Sequence, residues 1–472
     1  MGIVTQTSAA QRTTSMLSAR GDRHWPVIVT TLIVVVLNVA VLVLHHSGLG
    51  RPALLSAVLV FCVMMPLCRR LVGRLRRHEL VIITAITQLP GVFSAPLFSD
   101  DVYRYVWDGH VQLAGIDPYR YAPLDHAVAF LRNPVLFPGG TPLINRPSVH
   151  TIYPPLAELW FSGIAAVVPW RWGVLGLQIA GLLLVIVTVL VLARALSAGS
   201  GNPGWALIYG ACPATMIEAV NSAHVDALAS FLIAAMICAI LAGRGRITGV
   251  LLGLAAGVKL VPLLLLPCFL LARRGPQRLR GVTPAAVLVL VASYLPHLLV
   301  VGALVLGYLP GYLHEEGFDG RRRFALLIMV PEQARLPMAA LLAVGCALWA
   351  LIRSRTRSVL ITCCLLYGAA FLIATPTYPW YLLPFIVLVI AARRFEWLIL
   401  WPAAYVGYLH DRDELLQSLG YGIAFAVIVG CALVRHRRGG DRSRGGPPTG
   451  SGRFDWLRTA RPARGHRVGE GR

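Results

Sequence analysis

The chain has 472 residues, of which 57% are hydrophobic and only 14% are charged. A soluble domain carries about 45–50% apolar and about 25% charged residues, so this balance excludes an ordinary water-soluble globule. The net charge of +22 comes from arginines clustered in short loops between apolar runs, a topology signal that gives no support to nucleic-acid binding.

In chain order, residues 1–24 form a polar segment placed in the cytoplasm. The first apolar run, 25–45, is long and lacks a small-residue cleavage site, so it reads as a span and not as a signal peptide. A second run, 52–68, leads to Arg69, Arg70, Arg74, Arg76 and Arg77, and a third covers 79–96. A loop of about 97–172 follows, long enough to imply a purpose. Within it, DVYRYVWDGHVQLAG suits a short surface helix, whereas Gly115, Pro118, Pro123, Pro134, Pro138 and Pro142 forbid one continuous helix. The apolar stretch 154–170 is kept on the outer side, lying on or dipping into the membrane, so that Arg194 falls inside. Further runs cover 172–194, 204–220, 225–242, 246–257, 259–272, 282–302, 336–352, 358–375, 379–393, 395–409 and 415–434. The expected fold class is therefore all-α, a polytopic transmembrane helical protein of about 14 spans with both termini inside. The membrane domain is 25–434, and 435–472 is a basic tail too rich in Arg, Gly, Ser and Pro to bury a core. The nine cysteines form no CxxC pair, lie in or beside apolar runs, and are expected to be buried thiols.

On this topology the unusual polar motifs share the outer face. They are FSDDVYRYVWDG (98–109), YPP (153–155), NSAHVD (221–226), HEEGFDGRRR (314–323), TPTYPWY (375–381) and HDRDE (410–414). Ionisable groups at membrane depth are costly and usually functional. Asp100 and Asp101 diverge by about 100° on a helix, so one can serve as a general base while the other caps; a Ser99-Asp100-Asp101 N-cap is the structural alternative. Lys259 is the only lysine among 43 basic residues, and a compact cation there suits a phosphate oxygen as well as it suits snorkelling to the interface. His224 and Asp226 fit an acid–base pair, a phosphate contact or a helix cap. Arg321, Arg322 and Arg323 are either neutralised by the neighbouring acids or grip a phosphate. Tyr378, Trp380 and Tyr381 read as interface anchors, with sugar stacking as the sharper alternative.

SDDVYRYVWDG with AGIDPYRYAP, then TIYPPLAELWF, NSAHVDALA, GLAAGVKLVPLLLLP and TYPWYLLP, in that order, resemble membrane glycosyltransferases of the C-type (GT-C) fold. The likeness is to glycosyltransferase family 87 and the polyprenyl-phosphomannose-dependent mannosyltransferases of actinobacterial type, and it runs from about Arg69 to Val434. The resemblance implies an enzyme of the bacterial plasma membrane with an external active site. Such an enzyme moves a sugar, mannose by likeness, from a polyprenyl-phosphate donor to an envelope glycan or glycolipid acceptor, with inversion. Matched by motif, Asp101 is the preferred base and Asp100 the fallback. Lys259, His224, Arg104, Asp226 and Arg322 are assigned to donor phosphate or sugar, and Tyr105, Tyr119, Tyr153, Tyr378 and Trp380 to shaping the pocket. The external loop holds no Asp-X-Asp pattern, so no metal and no cofactor are expected; the partners are donor, acceptor and membrane lipid. The alternatives are a flippase or transporter of lipid-linked sugars and a same-fold transferase using an arabinosyl or glucosyl donor.

Overall fold

The computed structural model describes residues 9–73, 75–272, 279–318, 323–410 and 413–444. Every regular element among the described residues is helical. Helices α1 (Ala9–His46) and α2 (Gly50–Leu71) form an antiparallel pair, and α3 (Arg77–Gln88) packs between α1 and α6 (Gly173–Ala198). The long loop of about 97–172 contributes α4 (Asp101–Leu113) and α5 (Pro155–Ala165). After α6 come the single turn α7 (Leu207–Gly210), a π-helical stretch Thr215–Asn221, α8 (Asp226–Leu241) and α9 (Gly245–Val258). The chain continues through α10 (Pro267–Leu270), α11 (Val282–Val301), α12 (Leu309–Glu315), α13 (Glu332–Arg353), α14 (Val359–Ala374), α15 (Leu383–Ala392), α16 (Leu400–Leu409) and α17 (Glu414–Arg444).

The protein is thus an all-α polytopic membrane protein, and among the described residues long apolar helices are fewer than the apolar runs. Six helices among the described residues are long and apolar enough to cross a bilayer: Trp25–His46, Gly50–Leu71, Trp170–Ala198, Val282–Glu315, Glu332–Arg353 and Glu414–Arg437. A seventh exists if Thr215–Asn221 and α8, bent by 110° at their junction, count as one span. Proline explains much of the shortfall. Pro90 closes α3 in a 3-10 turn, Pro203 opens another, and Pro262 with Pro267 divides 259–272 into a 3-10 turn and the single turn α10. Helix α17 runs past Val434 to Arg444, into the segment assigned to the tail, and residues 445–472 lie outside the described residues.

The core follows α6, α8, α14 and α15. Helix α15 is buried along its whole length, whereas α11 shows an almost bare apolar surface. That contrast is expected where lipid, not water, meets the outer helices. Cysteine burial differs from expectation at four positions, of which Cys238 and Cys346 are half-buried. Cys62 and Cys431 are exposed, on the outward faces of α2 and α17, and both are free.

Helix α4 also departs from a surface helix. Val102, Arg104, Tyr105, Val106, Trp107, Asp108, Gly109 and Val111 are buried, because α5 and the 115–150 loop cover it. Gly109 permits the approach: a Cβ there would stand 2.5 Å from the Phe161 carbonyl oxygen of α5.

Candidate active site

The segment leading to the two acids is strapped from below. The buried Asn221 side chain donates to the carbonyls of Gly91, Ser94 and Ala95 at 3.0–3.1 Å and accepts from the Leu97 N–H at 2.9 Å. The Gln178 amide adds bonds to the Ser94 and Asn221 carbonyls. The Tyr408 hydroxyl holds the Phe98 carbonyl. An amide that satisfies four backbone groups in a buried place fixes the entry to α4 tightly.

Asp100 occupies the N-cap position of α4, but its side chain makes no capping bond, and it is exposed. Burial first, and the charge of Asp101 second, raise its carboxyl above the ordinary range. Asp101 is the first residue of α4, where the free N–H groups of the helix favour a carboxylate. Its Oδ1 accepts from the Asn145 amide at 2.5 Å, and its Oδ2 lies 3.8 Å from His224 Nε2. The two acids are thereby distinguished: the Asp101 carboxylate is held by the Asn145 amide, whereas the Asp100 side chain makes no capping bond.

Both acids line a cavity of about 910 Å³. Its polar wall carries Asp100, Asp101, Arg104, Asn145, Arg146 and Lys259, and its aromatic wall carries Tyr153, Tyr378, Trp380 and Tyr381. Lys259, in extended conformation just past α9, sends Nζ to Asp226 Oδ2 at 3.1 Å and lies 4.4 Å from the centre of the Tyr381 ring. Lysine is therefore fixed in the cavity wall by a carboxylate and a cation–π contact, not snorkelled outward. Asp226 opens α8 but serves as that lysine's counter-ion, so the helix-cap reading of its side chain is not realised.

The Arg104 Nε–H is shared between the two carboxylate oxygens of Asp108, at 2.9 and 3.0 Å, and Nη1 and Nη2 donate to the Val149 carbonyl. A second buried acid, Glu158, accepts from Thr151 Oγ1 at 2.8 Å and Gln112 Nε2 at 3.0 Å. Burial raises both carboxyls; Arg104 pulls Asp108 back, whereas the Asp108 charge pushes Glu158 well up. Glu158 is thus the carboxyl of the pair held further above its ordinary range. Glu158→Gln should then keep activity within a few-fold of wild type. Asp108→Asn, which strands a buried guanidinium, should cost about 3–5 kcal/mol of stability and most of the activity. The pH sign follows from the raised Glu158 carboxyl. The folded state binds the proton that the unfolded state has released, so stability falls as pH rises above the unfolded carboxylate range. Melting curves of wild type and Glu158→Gln across pH check this: the variant should lose that part of the slope.

The structure brings Asp100, Asp101, Arg104, Lys259, Tyr153, Tyr378 and Trp380 to one cavity. Tyr105 and Tyr119 support it from beneath. Tyr105 stacks on Phe161 at 4.3 Å and meets Tyr153 edge-on, and the Tyr119 hydroxyl donates to the Tyr153 carbonyl at 2.6 Å. His224 is fully buried behind Asp101 and does not line the cavity. Arg322, together with Arg321, lies outside the described residues. Arg323 is described; it pairs with Glu316 and donates to Thr377 Oγ1 at 2.9 Å, so it is neutralised locally.

Sequence reasoning missed Asn145, Arg146, Tyr312 and Glu218, and it met Glu316 only as an acid beside the arginines of 314–323. Arg146 reaches Glu315 at 2.8 Å, the Tyr378 hydroxyl donates to Glu316 at 2.5 Å, and Tyr312 and Tyr381 share a hydroxyl contact at 2.5 Å. Glu218 was the one open to detection, as an acid inside an apolar run. Among the described residues no three His, Cys, Asp or Glu side chains come together as a metal-binding group.

Comparison with curated proteins and with solved structures returned no match. A family model described as "alpha-(1->6)-mannopyranosyltransferase, N-terminal domain" (MptA_B family) matches residues 2–274. That stretch contains Asp100, Asp101, Arg104, His224, Asp226 and Lys259, whereas the tyrosine and tryptophan wall at 378–381 lies beyond it. More than half of the chain is covered, with the acids and the lone lysine inside the match, and the protein belongs to this family of mannosyl-transferring membrane glycosyltransferases.

Proposed function

We propose that the protein transfers mannose, with inversion, from a polyprenyl-phosphate donor to a cell-envelope glycan or glycolipid at the outer face of the plasma membrane. The observation that carries the proposal is the placement of a preorganised carboxylate, Asp101, and a fixed ammonium, Lys259, in the wall of one cavity. Glycosyl transfer from a lipid phosphate needs both. A carboxylate takes the proton of the acceptor hydroxyl, and a cation stabilises the negative charge that develops on the departing phosphate.

Asp101 Oδ1 is occupied by Asn145, so Oδ2 is the oxygen left to receive a proton. Lys259 and Arg104 are the candidates for the phosphate end, and Arg146 adds a cation at the rim. Leu260, Val261, Leu264, Leu309 and Leu313 give the cavity an apolar side that suits the first isoprene units. Tyr378 and Tyr381 offer ring faces to a sugar. The family's α linkage, combined with inversion, calls for a β-linked donor.

The test is a donor panel. Purified protein in lipid nanodiscs receives polyprenyl phosphates bearing labelled mannose, glucose or arabinose, with an envelope glycan extract as acceptor. Mannose should be transferred in preference to the others. Preference for glucose or arabinose would reassign the donor. Movement of intact donor across a vesicle bilayer without transfer would establish the flippase reading instead.

A further inference from the structure

His224 has two nitrogens and only acceptors around them. Nδ1 lies 3.1 Å from the Glu218 carbonyl oxygen and 3.3 Å from Glu218 Oε2. A carbonyl cannot donate, so Nδ1 must carry the ring proton. In the neutral ring Nε2 then presents a lone pair. It has no hydrogen-bond partner, the side chain has no exposed surface, and it points at Asp101 Oδ2 across 3.8 Å. A lone pair facing a carboxylate oxygen in a buried place is unfavourable at rest and favourable once either atom holds a proton.

The rest of the surroundings suit a positive ring. Trp380 stacks on the imidazole, with centroids 4.1 Å apart and planes at 14°. An indole face stabilises a cation. The Tyr405 hydroxyl donates to Glu218 Oε1, holding that carboxylate in place beside Nδ1. The backbone is shaped to the same end. Ala223, with φ of 50°, is left-handed without being glycine, and the His224 N–H returns to the Glu218 carbonyl at 2.9 Å. Such a conformation is costly for a residue with a Cβ and persists where the surroundings enforce it. The titratable and charged groups around the ring are Asp101 from α4 and Glu218 from the π-helical stretch. Asp226, two residues along, is held by Lys259.

Resting on the transferase reading above, we infer that His224 is a positioning residue that holds the transferred proton behind Asp101. In the reaction, the acceptor O–H bond breaks and its oxygen bonds to the anomeric carbon. The bond from that carbon to the phosphate oxygen breaks, and its electron pair leaves with the lipid phosphate. The proton lands on Asp101 Oδ2 and is taken by the Nε2 lone pair. Asp101 returns to carboxylate, and the imidazolium rests between Glu218, Asp101 and the Trp380 face. This separates His224 from the donor-phosphate group to which its motif assigned it. Its partners are acids and an indole, and none is a cavity cation.

The experiment compares wild type, His224→Gln, His224→Asn and His224→Gly in nanodiscs, with Asp101→Asn as control and melting temperature as the folding check. His224→Gln should lower kcat by about 10²–10⁴-fold and leave the donor KM unchanged. In His224→Gly, added imidazoles should restore turnover in order of their basicity. A raised donor KM with kcat preserved would return His224 to phosphate binding. Rescue that ignores imidazole basicity would make it a space-filling residue, and either result overturns the inference. If both His224→Gln and His224→Asn melt early, the rescue series on folded His224→Gly decides. Failure of wild type to transfer from any lipid-linked sugar would sink the transferase reading itself. An active wild type with an equally active His224→Gln would sink the inference alone.

Discussion

Replacing Asp101 with asparagine is expected to reduce mannosyl transfer by about 10³-fold without unfolding the protein. The geometry explains both halves. An asparagine at 101 can keep its oxygen toward the Asn145 amide, now 2.5 Å from Oδ1, and turn its own amide toward the Nε2 lone pair of His224. Every neighbour remains satisfied, and the loss is confined to the atom that would accept a proton. Asp100→Asn should stay within about tenfold of wild type. Asp100 is exposed, caps nothing with its side chain, and lacks the Asn145 bond that orients Asp101. Initial rates with labelled donor, beside melting curves for both variants, check this. Equal loss in the two variants would mean that the acids act as a pair, and loss in Asp100→Asn alone would move the base by one residue.

The second large effect concerns Lys259. Lys259→Met removes the ammonium expected to stabilise the departing phosphate, and kcat should fall by about 10²–10³-fold. It also strands Asp226, which is 1% exposed and has lost its counter-ion. Leaving one member of a buried ion pair costs about 3–5 kcal/mol, so the single variant should melt early. Lys259→Met combined with Asp226→Asn removes both charges. The pair should recover thermal stability and remain inactive. Recovery of activity together with stability would show that Lys259 serves only to balance Asp226, and the phosphate role would fall. The cycle separates the two roles because the ion pair is lost in both variants, whereas only the double variant is free of an unpaired charge.

The polar clusters at the ends of apolar runs were legible because a membrane chain has little other reason to place acids and a lone lysine there. Asp101, Lys259 and Trp380, far apart in sequence, do meet in one cavity. Asn145 was not legible. It lies 44 residues beyond Asp101 in a loop with many prolines, and only the path of that loop brings its amide to the carboxylate. Tyr312 and the bond from Tyr378 to Glu316 escaped for a similar reason, since Tyr378 and Tyr381 come from a distant turn. The burial of α4 was hidden because valine, tyrosine and tryptophan read alike at a membrane interface and under a covering loop. Apolar runs outnumber long apolar helices among the described residues where proline and glycine break the runs into short turns, as at Pro262 and Pro267. Hydropathy measures the length of a run and says little about whether one helix spans it.

The most direct measurement is a single-turnover reaction of wild type and Asp101→Asn in nanodiscs. It uses labelled β-mannosyl polyprenyl phosphate and an envelope glycan acceptor, with the product's anomeric linkage read by α-mannosidase digestion. The account predicts that wild type consumes the donor and makes an α-linked product, while Asp101→Asn, equally folded, leaves the donor intact. Equal turnover by the two proteins would contradict it, as would a product resistant to α-mannosidase.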